Sequence, residues 1–339
     1  MIRLGWVTLL LALLVGCQPG ETVRPPKQGG APHFDPDREP DAIAAAQLEA
    51  RLGPLLKPRR AWRAGAVLKF LGNPYWQRVA DGMVAETARL GGSIDIRASG
   101  NAQDYEGQLN SLLALVALNP DVIFISPLAP TNLQPGVEAA RRKGIQLIVV
   151  NDDVLDDTEH FVGPNQYEDG VRAARYLQQR FPSGGDAAVI RGMVGRTFVA
   201  QRSQGFLDTL PQPPFRIVAD VVGDWSLDKA MNHATEILHN YPTLVGFYCN
   251  SDVMALGVVR ALETAGRTDI AVIGTDGLAI AYPALRAGTL SATIDTHPYE
   301  AGVIAVEVAV RLLAGQKVPR VVYSPQDTLT RETFEKPPK

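Results

Sequence analysis

Asparagine, aspartate, arginine and aromatic residues recur at one kind of place in this sequence, directly after short β-branched apolar runs. Gly72-Asn73-Pro74-Tyr75-Trp76 follows one run, Asn151-Asp152-Asp153 another, Asn250-Ser251-Asp252 a third and Asp276-Gly277 a fourth. Arg202 and Trp225 come after two further runs, and Thr296 and His297 follow the last. Taken singly, Asn, Asp or Ser after a strand N-caps the next helix as readily as it binds anything, and Tyr75 and Trp76 would suit a core equally well. Asp252 and Asn101 have most of the character of caps. As a set, these residues do more. Ring faces cover apolar C–H faces, while amides, carboxylates and a guanidinium exchange hydrogen bonds with adjacent hydroxyls, the chemistry that holds a small polyhydroxylated molecule.

Catalysis finds no comparable set. The sequence has no Walker loop, no G-x-G-x-x-G, no H-E-x-x-H and no G-x-S-x-G. His233 and His239 are six apart and do not stack on one helical face, and His160 is isolated. His297 lies near the predicted cleft, as a hinge histidine or a ligand contact. Neighbouring Asp152 and Asp153 point in different directions, so they cannot flank one glycosidic bond. No enzyme activity, metal or cofactor is expected.

The elements that must position these residues alternate along the chain. Strand candidates are 66–71, 93–97, 122–126, 146–150, 187–191, 217–222, 244–249, 271–274 and 291–294, and helical patterns cover 76–90, 105–118, 132–143, 169–180, 227–240, 253–265 and 299–314. Strand and helix in alternation predict parallel sheets covered on both faces, and 339 residues exceed what one core usually serves. Two doubly wound α/β lobes follow. In such sheets ligands bind beyond the carboxyl ends of the strands, where the polar residues fall.

The ends of the chain carry a different signal. Arg3, an apolar run from Trp6 to Val15 and Leu14-Val15-Gly16-Cys17 make a bacterial lipoprotein leader, because the run is shorter than the roughly 20 residues a membrane helix needs. Cys17 would become a lipidated N-terminus, placing the chain in the cell envelope and anchoring it to membrane. Cys249 is then the remaining cysteine, and no internal disulfide can form. Residues 18–61 are rich in Pro, Gly and charge and read as a tether, within which Asp41 to Leu52 is a short helix candidate ended by Gly53-Pro54. Lys57, Arg59 and Arg60 read as a solvated linker end. Hydrophobic residues at 46% and a net charge of −3 leave no basic face, so nucleic acid is excluded as a partner.

With these residues in view, the chain resembles the type I periplasmic binding proteins of sugar ABC transporters, the ribose- and galactose-binding group that shares its fold with LacI-type repressor cores. The resemblance spans about residues 62–333. It rests on Asn73-Pro74-Tyr75-Trp76, the segment Val79 to Gly91, Arg202-Ser203-Gln204-Gly205-Phe206, Asn250 to Gly257, and Ile273-Gly274-Thr275-Asp276-Gly277. It implies two lobes joined by a three-crossover hinge, with residues 62–163 and 297–325 in one lobe and 164–296 and 326–333 in the other. It also implies ligand contacts from Asn73, Tyr75, Trp76, Asn151 and Asp152 on the first lobe, from Arg202, Trp225, Asn250, Ser251 and Asp276 on the second, and from Thr296 at a crossover. Where the ribose binders have Asp-Arg this chain has Asn151-Asp152, which turns the expectation from ribose to a polyol, another pentose or hexose, or a ligand with an amine. The implied partner is an ABC permease. A sensory receptor presenting its closed form to a kinase or chemoreceptor would use the same binding chemistry.

Overall fold

Continuous apolar runs such as Val122-Ile123-Phe124-Ile125 have no polar face to turn outward, so they must lie in sheets buried on both sides. The computed structural model describes residues 34–334 except 59, 152–154 and 156, and the leader, Cys17, Asp152 and the first part of the expected tether lie outside the described residues. The strands are β1 (Ile43–Ala44), β2 (Trp62–Leu68), β3 (Gly92–Ala98), β4 (Val122–Ile125), β5 (Gln146–Val150), β6 (Phe161–Gly163), β7 (Gly185–Arg191), β8 (Phe215–Val222), β9 (Leu244–Cys249), β10 (Ala271–Asp276), β11 (Ala292–Asp295), β12 (Val321–Tyr323) and β13 (Asp327–Thr330). The helices are α1 (Leu48–Leu52), α2 (Pro74–Arg89), α3 (Tyr105–Ala117), α4 (Gln134–Arg142), α5 (Gln166–Arg180), α6 (Thr197–Thr209), α7 (Leu227–Asn240), α8 (Asp252–Ala265), α9 (Tyr282–Ala287) and α10 (Pro298–Leu313).

They build two sheets. One has the order β1-β12-β6-β5-β4-β2-β3, all parallel, and the other β13-β11-β10-β9-β7-β8, parallel except for β13. Each sheet carries an apolar cluster on either face, as the doubly wound α/β expectation requires. The described chain passes between the two lobes three times, before α5, between β11 and α10, and between β12 and β13.

Three local expectations change. Residues from Phe34 onward do not form a free tether: β1 pairs with β12, and Ile43 and Leu48 are buried in the first lobe's core. Burial of these two side chains, the β1–β12 pairing and the hydrogen bonds to the first lobe act together against the ordering entropy that the Pro- and Gly-rich composition suggested would prevail. Helix α1 covers only the end of the 41–52 segment and stops at Gly53, which takes a positive φ of 79°. The edge strand β13 runs antiparallel to β11 because the chain re-enters the second lobe from the hinge side.

Candidate functional site

Helix N-termini supply the first wall of the cleft between the lobes. Asn73 caps α2, its Oδ1 accepting from the Tyr75 backbone N–H at 2.9 Å, and Pro74 fills the first helical turn where a missing N–H costs nothing. Tyr75 and Trp76 are thereby held edge to face, 5.4 Å apart, and the Tyr75 hydroxyl bonds Asn151 Oδ1. On the second lobe, Ser251 caps α8 in the same way, through Met254 N–H at 3.3 Å. Capping and cavity lining are the same act here, since Asn73 and Ser251 do both.

The opposite wall is aromatic. Phe198 and Trp225 stack with centroids 5.7 Å apart and planes at 7°. Gly192 makes room for this, because a Cβ there would sit 2.1 Å from the Trp225 ring. Lys69, at the end of β2 in the first lobe, places Nζ 4.8 Å from the Phe198 centroid and 5.8 Å from that of Trp76. A cation of one lobe thus rests on a ring of the other.

Beneath the rings lies a buried polar floor. Arg202 is 2% exposed, and its Nε donates to Gln166 Oε1 at 2.7 Å and to Asp169 Oδ2 at 3.2 Å. Its Nη1 donates to the Asn250 carbonyl at 2.8 Å and to Asp276 Oδ1 at 3.4 Å. Gln166 turns its Nε2 to the Asn151 carbonyl at 2.8 Å, tying the floor to the first lobe. Burial pushes the Asp169 carboxyl up to about 6, with the Arg202 charge as the main opposing effect.

Among the described residues, six non-glycine positions take positive φ, and Asn151, Asp224, Trp225 and Asp276, four of the six, line the cavity. Such backbone persists where surrounding packing over-determines it, and it clusters at functional sites. The cavity encloses about 410 Å³, ample for a monosaccharide-sized molecule. No cluster of three or more metal-ligating side chains occurs among the described residues.

A family model described as periplasmic binding protein domain matches residues 64–317. The chain belongs to the periplasmic binding protein family. It is 31% identical over 255 residues to the D-allose-binding periplasmic protein of Escherichia coli (strain K12), covering 72% of this chain and 82% of that protein. Over 254 residues it is 28% identical to the ribose import binding protein of Salmonella typhimurium, covering 74% and 85%. A solved ABC transporter periplasmic solute binding protein from Actinobacillus succinogenes 130z with bound D-allose superposes with a TM-score of 0.76 at 25% identity, covering 80% of this chain and 98% of that one.

In this periplasmic binding protein the structure gathers Asn73, Tyr75, Trp76, Asn151, Arg202, Trp225, Ser251 and Asp276 around one cavity. Two residues expected there do not line it. Asn250 is fully buried, its Oδ1 accepting from Gly192 N–H at 3.2 Å and Ser203 Oγ at 3.3 Å, so it braces the floor from below. Thr296 is fully buried at the crossover after β11. His297 is also outside the cavity, its Nε2 2.9 Å from Asp327 Oδ2. Lys69, Phe198, Arg196 and Gln103 line the cavity without having been singled out. Phe198 had a legible signal, since it opens the helix after β7 just as Tyr75 opens the helix after β2. Lys69 had none, being one polar residue inside an apolar run.

Proposed function

We propose that this protein is a lipid-anchored extracytoplasmic solute-binding protein that captures a sugar or polyol by lobe closure and delivers it to an ABC importer. The observation that carries the reading is a single cavity walled by Trp76 on one side and the Phe198–Trp225 stack on the other, with Asn73, Asn151, Arg202 and Asp276 at its polar edges. Rings cover the C–H faces of a pyranose or an extended polyol, and the polar edges meet its hydroxyls. The allose- and ribose-binding relatives support that ligand class.

Closure follows from the same arrangement. A ligand held by one lobe offers unsatisfied hydroxyls to the other, so the closed state is populated according to that differential interaction. About ten hydrogen bonds at roughly 0.5–1.5 kcal/mol each suffice for the approximately 8 kcal/mol of a micromolar complex once ordering costs are included. The lobes in this reading comprise residues 62–163 with 297–325, joined by β1 and α1 from the preceding segment, and 164–296 with 326–333. The leader ending at Cys17 supplies the anchor.

A thermal-shift screen of pentoses, hexoses, polyols and amino-polyols tests the reading. Ligand at a hundred times Kd adds about 2.7 kcal/mol of stability. Absence of any stabilising compound across these four classes would sink it.

A further inference from the structure

The segment ahead of the matched family region holds both lobes at once. Its later part belongs to the first lobe: β1 pairs with β12, Ile43 and Leu48 enter the core, and Arg311 and Gln316 bond the Gly53 and Leu52 carbonyls at 3.0 Å each. The preceding turn sits on the same edge, where Tyr323 donates to the Pro36 carbonyl at 2.5 Å and the Arg320 guanidinium lies 3.7 Å from the Phe34 ring centroid. Two carboxylates of that turn face the other way. Asp37 accepts from the backbone N–H groups of Gln166 at 3.1 Å and Tyr167 at 2.8 Å, at the start of α5, and Asp35 accepts from Gln201 Nε2 of α6 at 2.6 Å.

Helices α5 and α6 carry the cavity floor. They approach so closely that a Cβ on Gly170 would sit 2.0 Å from the Arg202 carbonyl oxygen. Gln166, whose N–H is held by Asp37, positions Arg202 through one end of its amide and Asn151 through the other. One unbroken series of bonds therefore runs from the turn at 35–37 to the cavity.

We propose that residues 34–44 are a latch on lobe closure, in which Asp35 and Asp37 bind the second lobe while β1 is fixed in the first, and that Asp37 is a positioning residue for the cleft acting through Gln166. The latch rests on the reading of the cleft as a binding site that closes. It favours the arrangement in which Lys69 of the first lobe meets Phe198 of the second. Asp37 accepts from two part-buried backbone N–H groups that would otherwise be left unpaired, so losing both bonds reweights a two-state equilibrium substantially.

Interlobe distance without ligand is the test. In the full chain carrying Cys17→Ser, nitroxide labels at Glu138→Cys on α4 and Glu236→Cys on α7 report the separation by pulsed electron resonance, with Cys249 buried and unlabelled. We expect Asp37→Ala to raise the ratio of longer to shorter distances by roughly tenfold. Asp37→Asn, which keeps one acceptor oxygen, should fall between that and the native chain, and the exposed Asp41→Ala should leave the distribution unchanged. Superposition of the Asp37→Ala distribution on the native one overturns the latch. If Asp37→Ala does not fold, Gln201→Ala, which removes only the bond to Asp35, decides in the same way. A chain that shows the distance shift but binds no sugar or polyol would refute the assigned ligand class and leave a closing cleft with its latch.

Discussion

Phe198 and Trp225 lie face to face, 5.7 Å apart and 7° from parallel, although 26 residues and the whole of β8 separate them in sequence. The stack covers one side of each ring, and Lys69 and Arg202 approach Phe198 at 4.8 Å and 5.5 Å. It is a prebuilt wall, which spares a ligand the cost of ordering it.

A double-mutant cycle on Phe198→Ala and Trp225→Ala, read by urea unfolding, should give a coupling of about 0.5–1.5 kcal/mol. Strict additivity would mean the two rings contribute to stability independently. Trp225→Ala should also weaken ligand binding by roughly tenfold or more.

Asp276 meets the cavity with a carboxylate and a φ of 114°. Asp276→Ala should cost about 1.5–3 kcal/mol of binding free energy, roughly ten- to hundredfold in Kd by calorimetry, with the fold retained because Arg202 keeps Asp169 and the Asn250 carbonyl. Unchanged affinity would remove Asp276 from the site.

Arg202→Ala leaves the fully buried Asp169 without its charge partner and should destabilise the protein by about 3–5 kcal/mol in denaturant titration. Adding Asp169→Asn should restore part of that loss, because the uncompensated charge is then gone. No recovery in the double variant would show that packing, and not charge, sets the cost.

Stability should depend on pH through Asp252, which is fully buried and accepts from Leu278 N–H at 2.7 Å and Thr293 Oγ at 2.6 Å. Burial pushes its carboxyl up to about 7, against 3.8 ordinarily. The folded state holds this proton where the unfolded chain has lost it, so the contribution is full below about 4 and is lost as pH rises through about 7. Asp37, Asp169 and Asp295 are shifted in the same direction by burial, and His160, held below its usual value, acts the opposite way. The urea midpoint should therefore rise on going from pH 8 to pH 5.5, and Asp252→Asn should flatten that rise.

Cys17→Ser should move the protein from the detergent phase to the aqueous phase in a cloud-point partition of expressing cells. Each buried CH2 of an acyl chain contributes about 0.8 kcal/mol to membrane attachment, and the serine variant cannot carry those chains. Equal partitioning of both forms would argue against the lipid anchor.

Most of the fold was legible because local order carries it. Runs such as Leu147-Ile148-Val149-Val150 are apolar at every step, so the parallel sheet buried on both faces could be read from one strand at a time. Strands of three or four residues at the hinge, β6, β12 and β13, were missed because so short a run has no measurable period. Helix α6 was missed for another reason: Arg202 and Ser203 put polar groups on its buried face, where it builds the cavity floor.

By itself the sequence determined the alternation of strands and helices, and with it the rule that polar residues gather at the carboxyl ends of β2, β5, β9 and β10. Tertiary structure alone decided which of these side chains enter the cavity. Asn250 and Ser251 are adjacent, yet one turns under the floor and the other lines the cleft, because successive residues of an extended chain point to opposite sides. It also decided that Lys69 meets Phe198 and that Asp37 reaches α5, contacts between residues more than a hundred positions apart. Periodicity reports only neighbours along the chain, whereas those meetings depend on how two separately packed lobes are set against each other.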